Sequence, residues 1–330
     1  MRPVTTLLLV AFLLTTQQIA CAADVGFQAV AIPDGDEKPL NAGVWYPTDA
    51  QASPHPIGGA TQTVALNATV AGQDLPLVVI SHGSGGWYGG HYDTALALAR
   101  AGFVVAAVTQ RGDSFDDHSR IVQPWLRPAQ LKQLTDYMVA LWPQHASIDA
   151  GRIGVFGFSA GGFTALVAAG GVPDLSQIGP FCVEHPTTET CTVVRGTPGL
   201  ADRLATLPAP VWVHDTRIRA AVVAAPAIGF AFGRRGLANV NIPVQLWTAQ
   251  FDHVLPAPDY ADAVRAALPV APDFHVVENA DHYDFLPACS AATARDIPEI
   301  CTSRPGFDRV EFHSEMNRDI VAFFERTLGR

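Results

Sequence analysis

The stretch Gly157-Phe158-Ser159-Ala160-Gly161 sets one small hydroxyl among glycines. Before it, "RIGVFGF" is a short apolar run of strand type, and from Phe163 the chain reads as an Ala-rich helix. A serine on so sharp a strand-to-helix turn projects its hydroxyl past the C-terminal end of the strand. The residues two before and two after it must then lack side chains. A hydroxyl becomes a good nucleophile when a base takes its proton, and the base needs an acid to orient it. Asp252 follows the strand in "LWTAQFDHVLP", and His282 lies in the loop after "FHVVEN". The order serine, acid, histidine suits acyl transfer, with Ser159 as nucleophile, Asp252 as orienting acid and His282 as base.

Acyl transfer also needs donors for a developing oxyanion. The backbone N–H of Ala160, next after the nucleophile, is one candidate. The second is expected in the glycine-rich "SHGSGGWYGG" (81–90), where the N–H of Ser84 is assigned, with Gly85 as the register alternative. His82 is read as a brace for this loop. Asp259, Asp281 and Asp284 are alternative acids, while His185, His214, His253, His275 and His313 fit the base role less well by order or placement. Asp113, Asp116, Asp117 and His118 could be taken for a metal cluster, but loop residues bonded to their own backbone are the better reading. No cofactor and no metal is expected. Trp87, Tyr88 and Trp125 either line a pocket or pack beneath loops.

These residues need a scaffold that gathers strand ends. Near-continuous apolar strands ("LPLVVIS", "FVVAAVT", "RIGVFGF", "IRAAVVAAP", "PVQLWTA") alternate with helical stretches (93–102, 128–141, from Phe163, from Ala257, and a terminal helix to Leu328). Strands apolar on both faces imply a mostly parallel central sheet with helices on both faces, an α/β architecture. "FQAVAIPDGDEKPLNAGVWYP" adds an N-terminal antiparallel hairpin around Asp34-Gly35. Residues 173–216 break the rhythm and read as a short lid-like insertion with one short helix, "LADRLATL".

With 48% apolar and 16% charged residues among 330, the chain has ample material for one large core. Arg2, the apolar run Leu7 to Leu14 and Ala20-Cys21-Ala22 have the layout of a cleaved signal peptide over residues 1–22, followed by one domain over 23–330. Cys21 offers a lipid-anchor alternative, disfavoured by Gln18 where such a signal prefers Leu. The expected location is secreted or periplasmic. In an oxidising compartment the remaining Cys182, Cys191, Cys289 and Cys301 are expected to pair locally, 182 with 191 and 289 with 301. The excess of 31 acidic over 21 basic residues argues against a nucleic-acid partner. No later stretch is long and apolar enough for a membrane span, and nothing specifies an oligomeric state.

Through "GVWYPT", "SHGSGG", "RIGVFGFSAGG", "IRAAVVAAPA", "FDHVLP", "NADHYDFL" and "FHSEMNRDIVAFF", the sequence resembles the α/β-hydrolase superfamily. More narrowly it resembles the secreted esterases grouped with dienelactone hydrolases and platelet-activating-factor acetylhydrolases. The resemblance implies the triad Ser159, Asp252 and His282, no metal or organic cofactor, and a small-molecule or polymeric ester as substrate. Dienelactone hydrolases proper carry a Cys nucleophile, so the lactone activity does not transfer to Ser159. Phe158 replaces the His often found before the nucleophile, an aromatic that cutinase-like polyesterases share. Rival readings are a same-fold peptidase and a non-catalytic binding protein on this scaffold.

Overall fold

The computed structural model describes residues 24–208 and 211–329. The proposed export signal and Cys21 lie outside the described residues. In chain order the elements are β1 (Asp24–Asp34), β2 (Glu37–Thr48), β3 (Ser53–Ile57), β4 (Ala60–Leu66), β5 (Leu75–Ser81), α1 (Tyr92–Arg100), β6 (Val104–Val108), α2 (Leu126–Ala140), β7 (Ile148–Phe158) and α3 (Ala160–Ala168). Then come α4 (Ile178–Glu184), α5 (Glu189–Gly196), α6 (Leu200–Ala205), β8 (Ile218–Ala224), β9 (Val244–Ala249), α7 (Ala261–Ala267), β10 (Asp273–Val277), α8 (Ala291–Asp296), α9 (Pro298–Cys301) and α10 (Arg309–Leu328).

The sheet order is β10-β9-β8-β7-β5-β6-β2-β1-β4-β3. From β10 to β6 every neighbour is parallel, and β2 joins β6 antiparallel through its hairpin with β1. Strand periodicity explains the layering, since successive side chains point to opposite faces. Leu77 and Val79 of β5 join a core with Leu131, Leu134, Met138 and Phe163 from α2 and α3. Val78 and Ile80 join another with Leu98, Ile320 and Phe324 from α1 and α10. Helices cover both faces, as the apolar strands require.

Several boundaries differ from the sequence reading. Helix α2 begins at Leu126, leaving Pro128 in the first turn where its missing N–H costs nothing, and so brings Arg127 onto the helix. Helix α3 begins at Ala160, directly after the serine, and α7 begins at Ala261 after a turn. Among its described residues the insertion holds three short α-helices, α4 to α6, where one was expected. It is no loose flap: Leu175, Ile178, Leu200 and Leu204 belong to the core shared with the sheet. The structure pairs Cys182 with Cys191 (S–S 2.05 Å) inside the insertion, and Cys289, just before α8, with Cys301 at the end of α9 (2.00 Å). No helix among the described residues is long and apolar enough to cross a membrane.

Candidate active site

Sterics fix the serine turn. A Cβ on Gly157 would sit 2.0 Å from the Gly161 carbonyl oxygen, and a Cβ on Gly161 would sit 1.9 Å from the Ser81 carbonyl oxygen. Both neighbours are backbone and cannot yield, so only glycine fits. Ser159 between them takes φ 55° and ψ −118°, a strained conformation that L-residues rarely adopt. It is held there by three backbone bonds: its N–H donates to Ala224 (2.9 Å), and its carbonyl accepts from Phe163 (3.1 Å) and Ala227 (3.0 Å).

The structure brings the three separated side chains together beyond the C-terminal strand ends, where α/β sheets gather their reactive groups. His282 Nε2 lies 3.1 Å from Ser159 Oγ, and its Nδ1 lies 2.8 Å from Asp252 Oδ2. The other oxygen of Asp252 already accepts the N–H groups of Val254 (3.0 Å) and Leu255 (2.6 Å), which leaves Oδ2 to the imidazole. His282 and Asp252 are both buried. Phe158 turns away from solvent. Its ring packs against His282 (centroids 4.9 Å), Phe285 and His91, so this aromatic supports the His282 ring from below.

The rival residues are engaged elsewhere. His253 pairs with Asp281 (2.6 Å), His185 with Asp259 (3.4 Å), and Asp284 with Arg309 (2.9 Å). His313 lies between Asp93 (2.6 Å) and the Asp284 carbonyl (2.9 Å). His214 bonds to the Val167 carbonyl, and His275 stacks on Trp247.

His82 braces its loop: Nδ1–H donates to the Gly83 carbonyl (2.6 Å), and Nε2 accepts from the Gln110 N–H (3.0 Å). Burial, with Arg127 nearby, pushes its pKa down to about 3, so it stays neutral and able to accept. The N–H of Gly85 is spent on Asp113 Oδ1 (2.9 Å). Those of Ser84 and Ala160 go to no protein acceptor among the described residues.

Sequence reasoning missed one feature here. Asp116 and Asp117 do bond locally, to Ser114 and to the N–H groups of Gly112 and Ser119. Asp113 instead forms a buried ion pair with Arg127 (2.5 Å). Burial raises the Asp113 carboxyl, but Arg127, Ser84 and Gly85 outweigh it and hold the group below its usual range. Its place in the loop that follows β6, at the C-terminal strand ends, was the available signal. Among the described residues no three His, Cys, Asp or Glu side chains group as a metal would require.

A cavity of about 180 Å³ opens at Ser159 and Ala160, with Ser84, Asp113 and Arg127 on its border. Its other walls are mainly aliphatic: Ile121, Val122, Ala227, Ile228, Val254 and Leu255 from the core loops, and Ile178, Val193, Val194, Leu200 and Leu204 from the insertion. Trp87, Tyr88 and Trp125 do not border it. Trp87 and Tyr88 pack on each other (4.8 Å), and Trp125 packs against the core.

The profile of the prolyl oligopeptidase family matches residues 91–179, a stretch that holds Ser159 but neither Asp252 nor His282. None of the curated proteins matches the chain. Among solved structures, a ferulic acid esterase from Streptomyces cinnamoneus is similar, with a TM-score of 0.63 and 19% identity over 94% of this chain and 92% of that one. At that identity the likeness speaks for architecture, and it agrees with the parallel sheet, the serine turn and the strand-end loops: the chain has the α/β-hydrolase fold.

Proposed function

We propose that the protein is an exported serine hydrolase that cleaves carboxylic esters through an acyl-enzyme intermediate. One observation carries this reading: the unbroken chain from Asp252 through His282 to Ser159, ending in a cavity beside two uncommitted backbone donors. Ser159 Oγ attacks the ester carbonyl while His282 Nε2 takes its proton, and Asp252 stabilises the imidazolium through Nδ1–H. The oxyanion is held by the N–H groups of Ser84 and Ala160; the commitment of Gly85 to Asp113 favours Ser84 over its neighbour. His282 then returns the proton to the leaving alcohol, the acyl group remains on Ser159, and water activated by the same histidine releases it.

The small aliphatic cavity favours short or compact acyl groups, and the insertion supplies the wall that limits them. The similar ferulic acid esterase is by name an esterase, which supports the ester reading. Within the fold, the motifs quoted above favour the esterases grouped with dienelactone hydrolases and platelet-activating-factor acetylhydrolases. We read residues 23–330 as one hydrolase domain, because the insertion shares its core. The two disulfides support export.

The family profile favours a second reading, a peptidase. Turnover of p-nitrophenyl esters of graded acyl length, with matched amides, a feruloyl ester and a soluble polyester alongside, decides between them. The proposal expects kcat/KM to be highest on short acyl esters and to fall as the chain lengthens. Faster turnover of amides than of esters would overturn it, and a polyester preferred to every small ester would move the substrate to polymers.

A further inference from the structure

We propose that the buried Asp113–Arg127 pair is the positioning device of the oxyanion loop, locking the two donor-bearing segments to each other; this rests on the reading of Ser159 as nucleophile. Each arm of the pair is spent on those segments. Asp113 Oδ1 accepts from the Ser84 hydroxyl (2.7 Å) and the Gly85 N–H (2.9 Å), and Oδ2 accepts from Arg127 Nη1 (2.5 Å). Arg127 Nη2 donates to the His82 carbonyl and, at 3.4 Å, to Ser81 Oγ. Its Nε donates to Thr164 Oγ1 on α3 (3.1 Å), whose hydroxyl donates in turn to the Ala160 carbonyl (2.8 Å). One guanidinium thus ties the loop carrying the Ser84 N–H to the helix start carrying the Ala160 N–H.

The direction of the Ser84 N–H follows from peptide geometry. In a planar trans peptide the N–H points opposite the preceding carbonyl. The Gly83 carbonyl is pinned by His82 Nδ1–H (2.6 Å) and the Gly86 N–H (3.1 Å). The ion pair anchors this peptide on both sides, at the His82 carbonyl and at the Gly85 N–H. It also removes the Gly85 N–H from competition for the substrate. A buried ion pair is weak evidence for stability, because apolar replacements of the same shape are often as stable. Here the charges stay under the loop, with the Arg127 and Asp113 side chains 3% and 6% exposed, and their bonds run to the two donor-bearing segments.

The test compares the wild-type protein with Asp113→Asn and Ser84→Ala. Readouts are kcat and KM on one short ester, the rate of Ser159 phosphonylation by a fluorophosphonate, and Tm. All rates are normalised to titrated active sites. Asp113→Asn keeps the shape but loses the charge, and kcat should fall about 10- to 100-fold, the range expected for a displaced oxyanion donor. KM should stay within about threefold, since the donors act on the transition state. Phosphonylation should slow in parallel. Ser84→Ala removes only the hydroxyl-to-carboxylate bond, and should lower both rates roughly threefold to tenfold by loosening the loop. It decides the matter if Asp113→Asn does not fold. Unchanged rates per titrated site, with only Tm lowered, would overturn the proposal and leave the pair a structural feature. Normal phosphonylation of wild-type Ser159 without ester turnover would instead sink the ester reading, while the phosphonylation rates of the variants would still decide the positioning role.

Discussion

The turn around Ser159 and the insertion above it are shaped by opposite means. At the turn, backbone meets backbone: Gly157 and Gly161 have carbonyl groups where a Cβ would be. In the insertion, helices of six to eight residues (α4, α5, α6) are too short to persist alone. Their shape comes from Ile178, Leu200 and Leu204 packing into the core and from the Cys182–Cys191 bond. Gly179, in α4, has open space around it. The proposed chemistry therefore sits on a part of the chain with almost no freedom, and the proposed selectivity sits on one with a good deal.

The largest effect expected on the rigid side is loss of chemistry. Ser159→Ala or His282→Ala should lower kcat on any ester by about 10⁴-fold or more, and Asp252→Asn by about tenfold less, measured at saturating substrate. Turnover near wild type in either of the first two would break the assignment.

The glycines sharpen the contrast directly. Gly161→Ala drives a methyl into the Ser81 carbonyl, and a loss of about 3–5 kcal/mol or failure to fold is expected, judged by denaturant unfolding. Gly179→Ala meets nothing within 4 Å, and a helical alanine should add up to about 1 kcal/mol. Equal effects at the two positions would erase the distinction.

That contrast also governs what could be read without a structure. Ser159, Asp252 and His282 announce themselves locally, each at the end of an apolar run. The period-2 pattern of β7 even puts Phe156 and Phe158 on one face. The Asp113–Arg127 pair does not, because its partners lie up to 46 residues apart and meet only once β5, β6 and α3 are side by side. Strand β3 escapes too, since Pro54 and Pro56 interrupt any strand signal and are tolerated only because it is an edge strand. The helices of the insertion carry no clear period, as each spans at most about two turns.

The two disulfides separate stability from selectivity. By loop closure each is worth about 3 kcal/mol in the unfolded chain, with sequence separations of 9 and 12. Removing either pair by Cys→Ser should lower stability comparably. Only loss of Cys182–Cys191 should extend turnover toward longer acyl chains, because only that bond joins α4 to α5, whose Ile178, Val193 and Val194 line the cavity. A profile shifted equally by both would place the wall elsewhere.

A further expected effect concerns pH and lies beneath the rigid side. His91 is 1% exposed and has no hydrogen-bond partner for either ring nitrogen among the described residues. Burial lowers its pKa from 6.5 to about 4, with Asp93 opposing the shift. The unfolded chain therefore takes this proton first. The stability contributed by neutral His91 is full above about pH 6.5 and is lost as pH falls toward about 4, on the order of 2 kcal/mol by pH 5. His91→Leu should flatten the acid limb of the stability profile by that amount; an unchanged limb would assign the acid loss to other groups.

All of the proposed chemistry depends on this rigid turn presenting a nucleophile. Reaction of the whole protein with a fluorophosphonate, followed by intact mass and peptide mapping, tests it most directly. One adduct per chain is expected, on Ser159, abolished by Ser159→Ala and strongly slowed by His282→Ala. An adduct on another serine, or none under conditions that label a known serine hydrolase, would contradict it.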